Sequence, residues 1–290
     1  MEMLKLTLVG LSLLLASGCG VDKLLIERGV NKVDKDVVKE LNRFAKLSDE
    51  QRKVAEQIGR DAERWVKSDI LPRAAGLIGE MANDVESTGR LTKVTYDELV
   101  EFSYRPARFS SQEALITDVA QLLFEMTPAQ DQQSAEQLIE NHEERQKKRD
   151  KRDLEDQKDG IARGLRIIFR GMGVPRSREQ LKTMRSLLDN RIDLGPQTNA
   201  FYNKTNALFV ELAQNKPSSF EPFLTQYRDA WTLVEDGPDS EYPEDFAFNA
   251  DNGFEAIDYL FSTLTPEEQD KAVRVLQDYQ TFLLDLSRTP

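Results

Sequence analysis

The chain has one cysteine, Cys19, and one histidine, His142, in 290 residues. A lone thiol excludes an internal disulfide and any zinc site built from several thiolates. A lone imidazole excludes the paired-histidine motif of metalloproteases. No phosphate-binding glycine loop, nucleophile elbow or dinucleotide fingerprint occurs either. Beyond residues 6–15 no apolar run comes near the roughly 18 residues that cross a bilayer. Basic side chains are also scarce: 39 Lys and Arg stand against 51 Asp and Glu, a formal charge of −12. Phosphate backbones demand a basic face, so no nucleic acid is expected as a partner. Bulk anionic lipid would repel such a chain as well.

What is present starts at the beginning of the chain. Lys5 is a short positive head, residues 6–15 form an apolar middle, and Ala16, Ser17 and Gly18 lead into Cys19. This is the layout of a secretory signal segment, too short for a permanent span. The small residues followed directly by Cys19 resemble the lipobox of bacterial lipoproteins. That resemblance implies a signal peptide over 1–18, cleavage before Cys19, and acylation of its thiol and new amine. One acyl chain anchors weakly, two or more firmly. Gly20 occupies the position where, by resemblance to enterobacterial lipoproteins, an aspartate would favour the inner membrane. The implied address is the outer membrane, with the body facing the periplasm and the lipid on Cys19 as the membrane contact. Loss of the signal leaves the charge unchanged, because Glu2 and Lys5 cancel.

The mature chain, with 39% hydrophobic and 31% charged residues, reads as a core-forming body with a heavily solvated surface. Apolar residues recur at helical spacing nearly throughout, as in Val54, Ile58, Ala62, Trp65 and in Leu276, Tyr279, Leu283, Leu286. No alternating strand pattern competes. Helix starts follow the capping-box spacing at Ser48/Gln51, Thr127/Gln130 and Thr265/Glu268, and again at Thr95/Glu98, Ser110/Glu113, Ser177/Gln180 and Ser218/Glu221. Pro128 and Pro266 sit at the first helical position, where a missing N–H costs nothing. The expected fold is all-α, a multi-helix bundle.

Residues 127–169 read as one long central helix with a charged middle, supported by opposite charges three or four apart. Gly171 and the Gly173-Val174-Pro175 run that follows end it. They divide the chain into an N-terminal helical region, 19–171, and a C-terminal one, 172–290, or one continuous domain if the two share a core. A second break, 235–251, holds Gly237, Pro238, Pro243 and a cluster of carboxylates, and reads as a long surface loop.

Chemistry is harder to find. His142 sits in the charged stretch, where a surface position is expected and a catalytic triad is not. Two carboxylates distant in sequence can meet in a cleft, so a carboxylate-based enzyme stays open among 51 acids. The one locally basic stretch, 161–178, holds Arg163, Arg166, Arg170, Arg176 and Arg178, interleaved with Ile167, Ile168 and Phe169. On a helix these arginines flank an apolar ridge, suited to an acidic partner or an anionic head group. Stems lying along the flank of a packed helix are the plainer reading.

The phrases Leu47-Ser48-Asp49-Glu50-Gln51, Met126-Thr127-Pro128-Ala129-Gln130 and Leu264-Thr265-Pro266-Glu267-Glu268 are variants of one signature, L-T-P-x-Q. With the lipobox, Trp65 and Leu71-Pro72, they are similar to an uncharacterised all-helical lipoprotein family of proteobacteria, a domain of unknown function. Its tyrosine- and asparagine-rich opening is replaced here by residues 24–32. The signature alone also resembles periplasmic chaperones of the Spy and CpxP type, helical cradles for unfolded clients whose basic charge differs from this acidic chain. The expectation is therefore a lipid-anchored envelope protein that works by binding, without cofactor or metal. Its contacts are a protein partner in the envelope and the helix from Thr127 with the groove beside it. The alternatives are a Spy-like holdase and a carboxylate enzyme.

Overall fold

Several helix starts in this chain are set by short polar side chains that occupy backbone amides left open there. A computed structural model describes residues 23–104 and 113–289. Cys19, Gly20 and the expected cap at Ser110 lie outside the described residues. The described chain is all-α, with no strand among the described residues. In order, the helices are α1 Lys23–Val30, α2 Val33–Phe44, α3 Asp49–Trp65, α4 Leu71–Thr88, α5 Lys93–Tyr104, α6 Glu113–Phe124 and α7 Pro128–Arg149. There follow α8 Leu154–Gly171, α9 Arg178–Leu187, α10 Gly195–Gln214, α11 Phe220–Asp236, α12 Pro243–Ser262 and α13 Pro266–Ser287.

Full capping boxes form at Ser48/Gln51, Thr127/Gln130, Ser177/Gln180 and Thr265/Glu268. Two other starts are displaced from the expected position. Thr92, not Thr95, caps α5: its hydroxyl accepts from the Thr95 amide at 3.3 Å and donates to Asp84 at 2.7 Å. The residue before α11 is Ser219, not Ser218.

The single long helix expected over 127–169 is two helices. Asp153 caps a new start by accepting from the Asp156 amide at 2.8 Å, and the chain turns between Arg149 and Leu154. The short aspartate side chain competes for backbone amides that a continuous helix would use internally. The expected loop over 235–251 is also mostly helical. Gly237, at φ 71°, ends α11, a single 3-10 turn Pro238–Ser240 follows, and Pro243 opens α12 at a first-turn position.

Between α3 and α4 the helical path continues through a π turn, Val66–Ile70, in which the Leu71 amide reaches back to the Val66 carbonyl. Pro72 explains it: without an N–H and with a ring crowding the preceding turn, it loosens the ladder into a wider turn.

Helix α4 is apolar on most sides and buries Leu71, Ala74, Leu77, Ile78, Met81 and Val85. It packs along α13, which buries Ala272, Val273, Leu276, Tyr279, Leu283 and Leu286. Each fully buried leucine of this seam contributes about 1.5–3 kcal/mol. The hairpin of α2 and α3 closes so tightly that a Cβ on Gly59 would stand 2.5 Å from the Asp34 carbonyl oxygen. One core cluster runs from Ile26 to Leu286 and takes side chains from both sides of Gly171, with Phe169 and Phe261 in ring contact at 4.9 Å. A second cluster joins Ala120 of α6, Phe209 and Leu212 of α10, and Phe223, Leu224, Tyr227 and Trp231 of α11.

Candidate functional site

Helix α8 is amphipathic, with Leu165 and Phe169 buried and Lys158 drawn in beside them. Its first half is neutralised. Glu155 and Asp159 both pair with Arg185 of α9, Asp159 at 2.9 Å, and Lys158 reaches Glu155 at 2.9 Å. Hydrogen bonds from Lys158 and Arg185 hold the Glu155 carboxyl below its usual range. Its second half is different. Arg163, Arg166 and Arg170 are all exposed, and spacings of three and four place them on one face. Ile167 lies between them, 42% exposed. None of the three arginines has an ion pair or hydrogen bond among the described residues, whereas Arg149, Arg176, Arg185 and Arg228 are all engaged. On a chain of charge −12, this is a patch of uncompensated positive charge around an exposed apolar side chain.

Helix α7 is laced to α10 and to the turn that follows it. Asp131 meets Lys216 at 2.6 Å, His142 meets Asn203 at 2.6 Å, and Arg149 meets Asn199 at 2.6 Å while lying over the Tyr202 ring. The partners Lys216, Asn203 and Asn199 descend in sequence as Asp131, His142 and Arg149 rise along α7, the pattern of an antiparallel pair. His142 thus has a structural contact between two helices.

Beside α7 lies a cavity of about 90 Å³. Its wall is apolar, with Phe44, Leu123, Leu138, Phe209, Phe223 and Tyr227, and one edge carries Lys216 and Asp131. The Lys216 ammonium is saturated there: besides Asp131 it donates to the carbonyls of Leu123, Phe124 and Met126, the open end of α6. Burial raises the Asp131 carboxyl, against the opposing pull of Lys216. Burial also drives the Tyr227 phenol far above its ordinary range. The sequence pointed to a groove beside this helix but not to its lining, which comes from separate helices that only the tertiary fold assembles.

Where α3 packs against α6, one acid feels the charge of another. Burial first, then the negative charge of Asp61, raises the Asp118 carboxyl. Asp118 is exposed, and Asp61 is engaged by Arg64 at 2.8 Å and Gln57 at 2.9 Å. Among the described residues no three His, Cys, Asp or Glu side chains gather as a metal site. Among them, too, no helix is long and apolar enough to cross a membrane.

Compared with known proteins, the chain matches no family model, no curated protein and no solved structure.

Proposed function

We propose that this is a lipid-anchored protein of the bacterial cell envelope, held by acyl chains on Cys19 and acting as a binding or scaffold protein. Gly20 after the modified cysteine favours the outer membrane and a body in the periplasm. The observation that carries the binding role is the row Arg163, Arg166 and Arg170 around exposed Ile167, unpaired among the described residues on an otherwise acidic protein. Guanidinium groups left without internal carboxylates are available to an acidic surface, and a central apolar side chain supplies an anchor. The partner is thus an envelope protein presenting Asp and Glu around an apolar recess. Tethering to a membrane raises the local concentration of both.

The test is photo-cross-linking in living cells from a reactive residue at Ile167, in the parent and in the triple variant Arg163→Glu, Arg166→Glu, Arg170→Glu. One dominant captured protein, lost in the variant, supports the reading. A broad spread of unrelated envelope proteins would favour a holdase and sink the scaffold. The address has its own test: Cys19→Ala should leave an uncleaved or mislocalised precursor, and normal sorting of that variant would remove the lipoprotein reading.

A further inference from the structure

Helix α1 presents two leucines to water. Ile26 and Val30 face the body, and Lys23 pins the helix down by reaching Asp278 at 2.6 Å and lying over the rings of Tyr279 and Phe282 at 5.3 Å. At about 100° per residue, Leu24, Arg28 and Leu25 fill the opposite arc. Leu24 is 54% exposed and Leu25 58%, and they are the only sequence neighbours among the exposed large apolar side chains of the described residues. Arg28 is exposed too, with no ion pair or hydrogen bond among the described residues. Two leucines flanking an arginine, with Glu27 at the rim, make the outer face of an interfacial helix: leucines enter the acyl boundary while the arginine stem snorkels to the head groups.

We propose that this face, Leu24, Leu25 and Arg28, lies in the surface of the bilayer that holds the acyl chains of Cys19. The proposal rests on the lipoprotein reading and adds to it a membrane-docking surface on the folded body. Covalent geometry selects the occupant. Leu24 follows Cys19 by five positions and Leu25 by six, and a chain extends at most about 3.6 Å per residue, so they stay within roughly 18 and 22 Å of the anchored cysteine. A helix on so short a leash meets lipid before any other surface. The acidic body is repelled by an anionic leaflet as a whole, and the unpaired Arg28 offsets that repulsion at the point of contact. Docking would fix which side of the bundle looks away from the membrane.

The experiment uses the full lipidated chain with Leu25→Cys, in which the thiol of Cys19 is consumed by acylation and the new thiol takes a nitroxide label. The protein is placed in vesicles of phosphatidylethanolamine and phosphatidylglycerol at about three to one, and the N-terminal fragment is weighed to read acylation. A label carried instead by Leu208→Cys, an exposed position of α10, is the aqueous reference. In the acylated protein, the label at 25 should collide with oxygen several-fold more often, relative to a water-soluble nickel complex, than the label at 208. Adding Leu24→Asp should return it to water. Equal nickel access at both sites would overturn the docking while leaving the anchor intact. Spin–spin broadening that grows with protein density would overturn it in favour of a second copy of this chain. An unacylated Cys19, read from the mass alone, would overturn the lipoprotein reading and the docking with it.

Discussion

The Arg176 guanidinium, only 1% exposed, reaches the Glu268 carboxylate at 2.6 Å, and Glu268 is the residue whose side chain closes the capping box of α13. The same guanidinium donates to the Val174 carbonyl at 2.9 Å and to Thr263 at 3.3 Å, and lies over the Phe169 ring. One planar fork thus ties the end of α8 to the turn that begins α13.

Arg176→Ala should lower unfolding stability by about 3 kcal/mol, because it strips a buried pair and leaves carbonyls and a carboxylate without their donor. Arg176→Lys should recover only part of this, since one ammonium cannot reproduce the fork. Urea unfolding measures both; a loss under about 1 kcal/mol for the alanine variant would show that the fork is dispensable.

Glycines should divide by what surrounds them. Gly59→Ala adds a methyl against the Asp34 carbonyl, part of the backbone of α2 that cannot swing aside. Helix propensity returns about 1 kcal/mol, but overpacking costs about 1–3 kcal/mol, so a net loss is expected. Gly160→Ala and Gly164→Ala meet nothing within 4 Å, and each should stabilise α8 by about 0.5–1 kcal/mol. Thermal unfolding of the three variants side by side decides it.

Tyr227 gives a pH prediction. Its phenol, buried in the second cluster, is pushed far above the ordinary range by desolvation. In the unfolded chain it ionises near pH 10, whereas the folded chain keeps the proton. The unfolded state then binds fewer protons, so stability falls as pH rises above about 10, by up to about 1.4 kcal/mol per unit. Tyr227→Phe should match the parent within about 1 kcal/mol at pH 7 and exceed it increasingly above pH 10. Parallel curves for the two proteins would refute the burial argument.

The arginine row should be silent in stability and loud in binding. Replacing Arg163, Arg166 or Arg170 by alanine should change unfolding by no more than about 0.5 kcal/mol each, since none has an internal partner among the described residues. Capture from Ile167 should weaken as salt rises from about 0.05 to 0.5 M, where screening shortens to a few ångströms. Salt-independent capture would point to an apolar contact in which the arginines play no part.

Local signals were the legible ones. The caps at Ser48, Thr127, Ser177 and Thr265 involve side chains three residues apart, so the sequence contains the whole interaction. Thr95 misled because Thr92 offers the same hydroxyl one turn earlier, held by Asp84 from the preceding helix. The break before Leu154 was hidden because Asp153 suits a helix-face ion pair as well as a cap. Pro243 reads as a breaker until the helix that follows it is seen. The periodicity of Arg163, Arg166 and Arg170 was visible, but the isolation of Arg163 was not: it depends on Arg185 of another helix taking Asp159, one turn before it. The cavity beside α7 and the seam of α4 with α13 arise from pairings across long stretches of chain, which no local pattern encodes.

The bond from Lys23 to Asp278 has a mechanical meaning. It fastens the first described helix to the last one, so a pull at the amino end loads α13 through this ammonium and the two aromatic rings as well as the core through buried Ile26 and Val30. Such a joint shears early and locally. A pull applied before Lys23 should peel α1 away first, sparing the α4–α13 seam, whose rupture is governed by the far slower unfolding rate of the core.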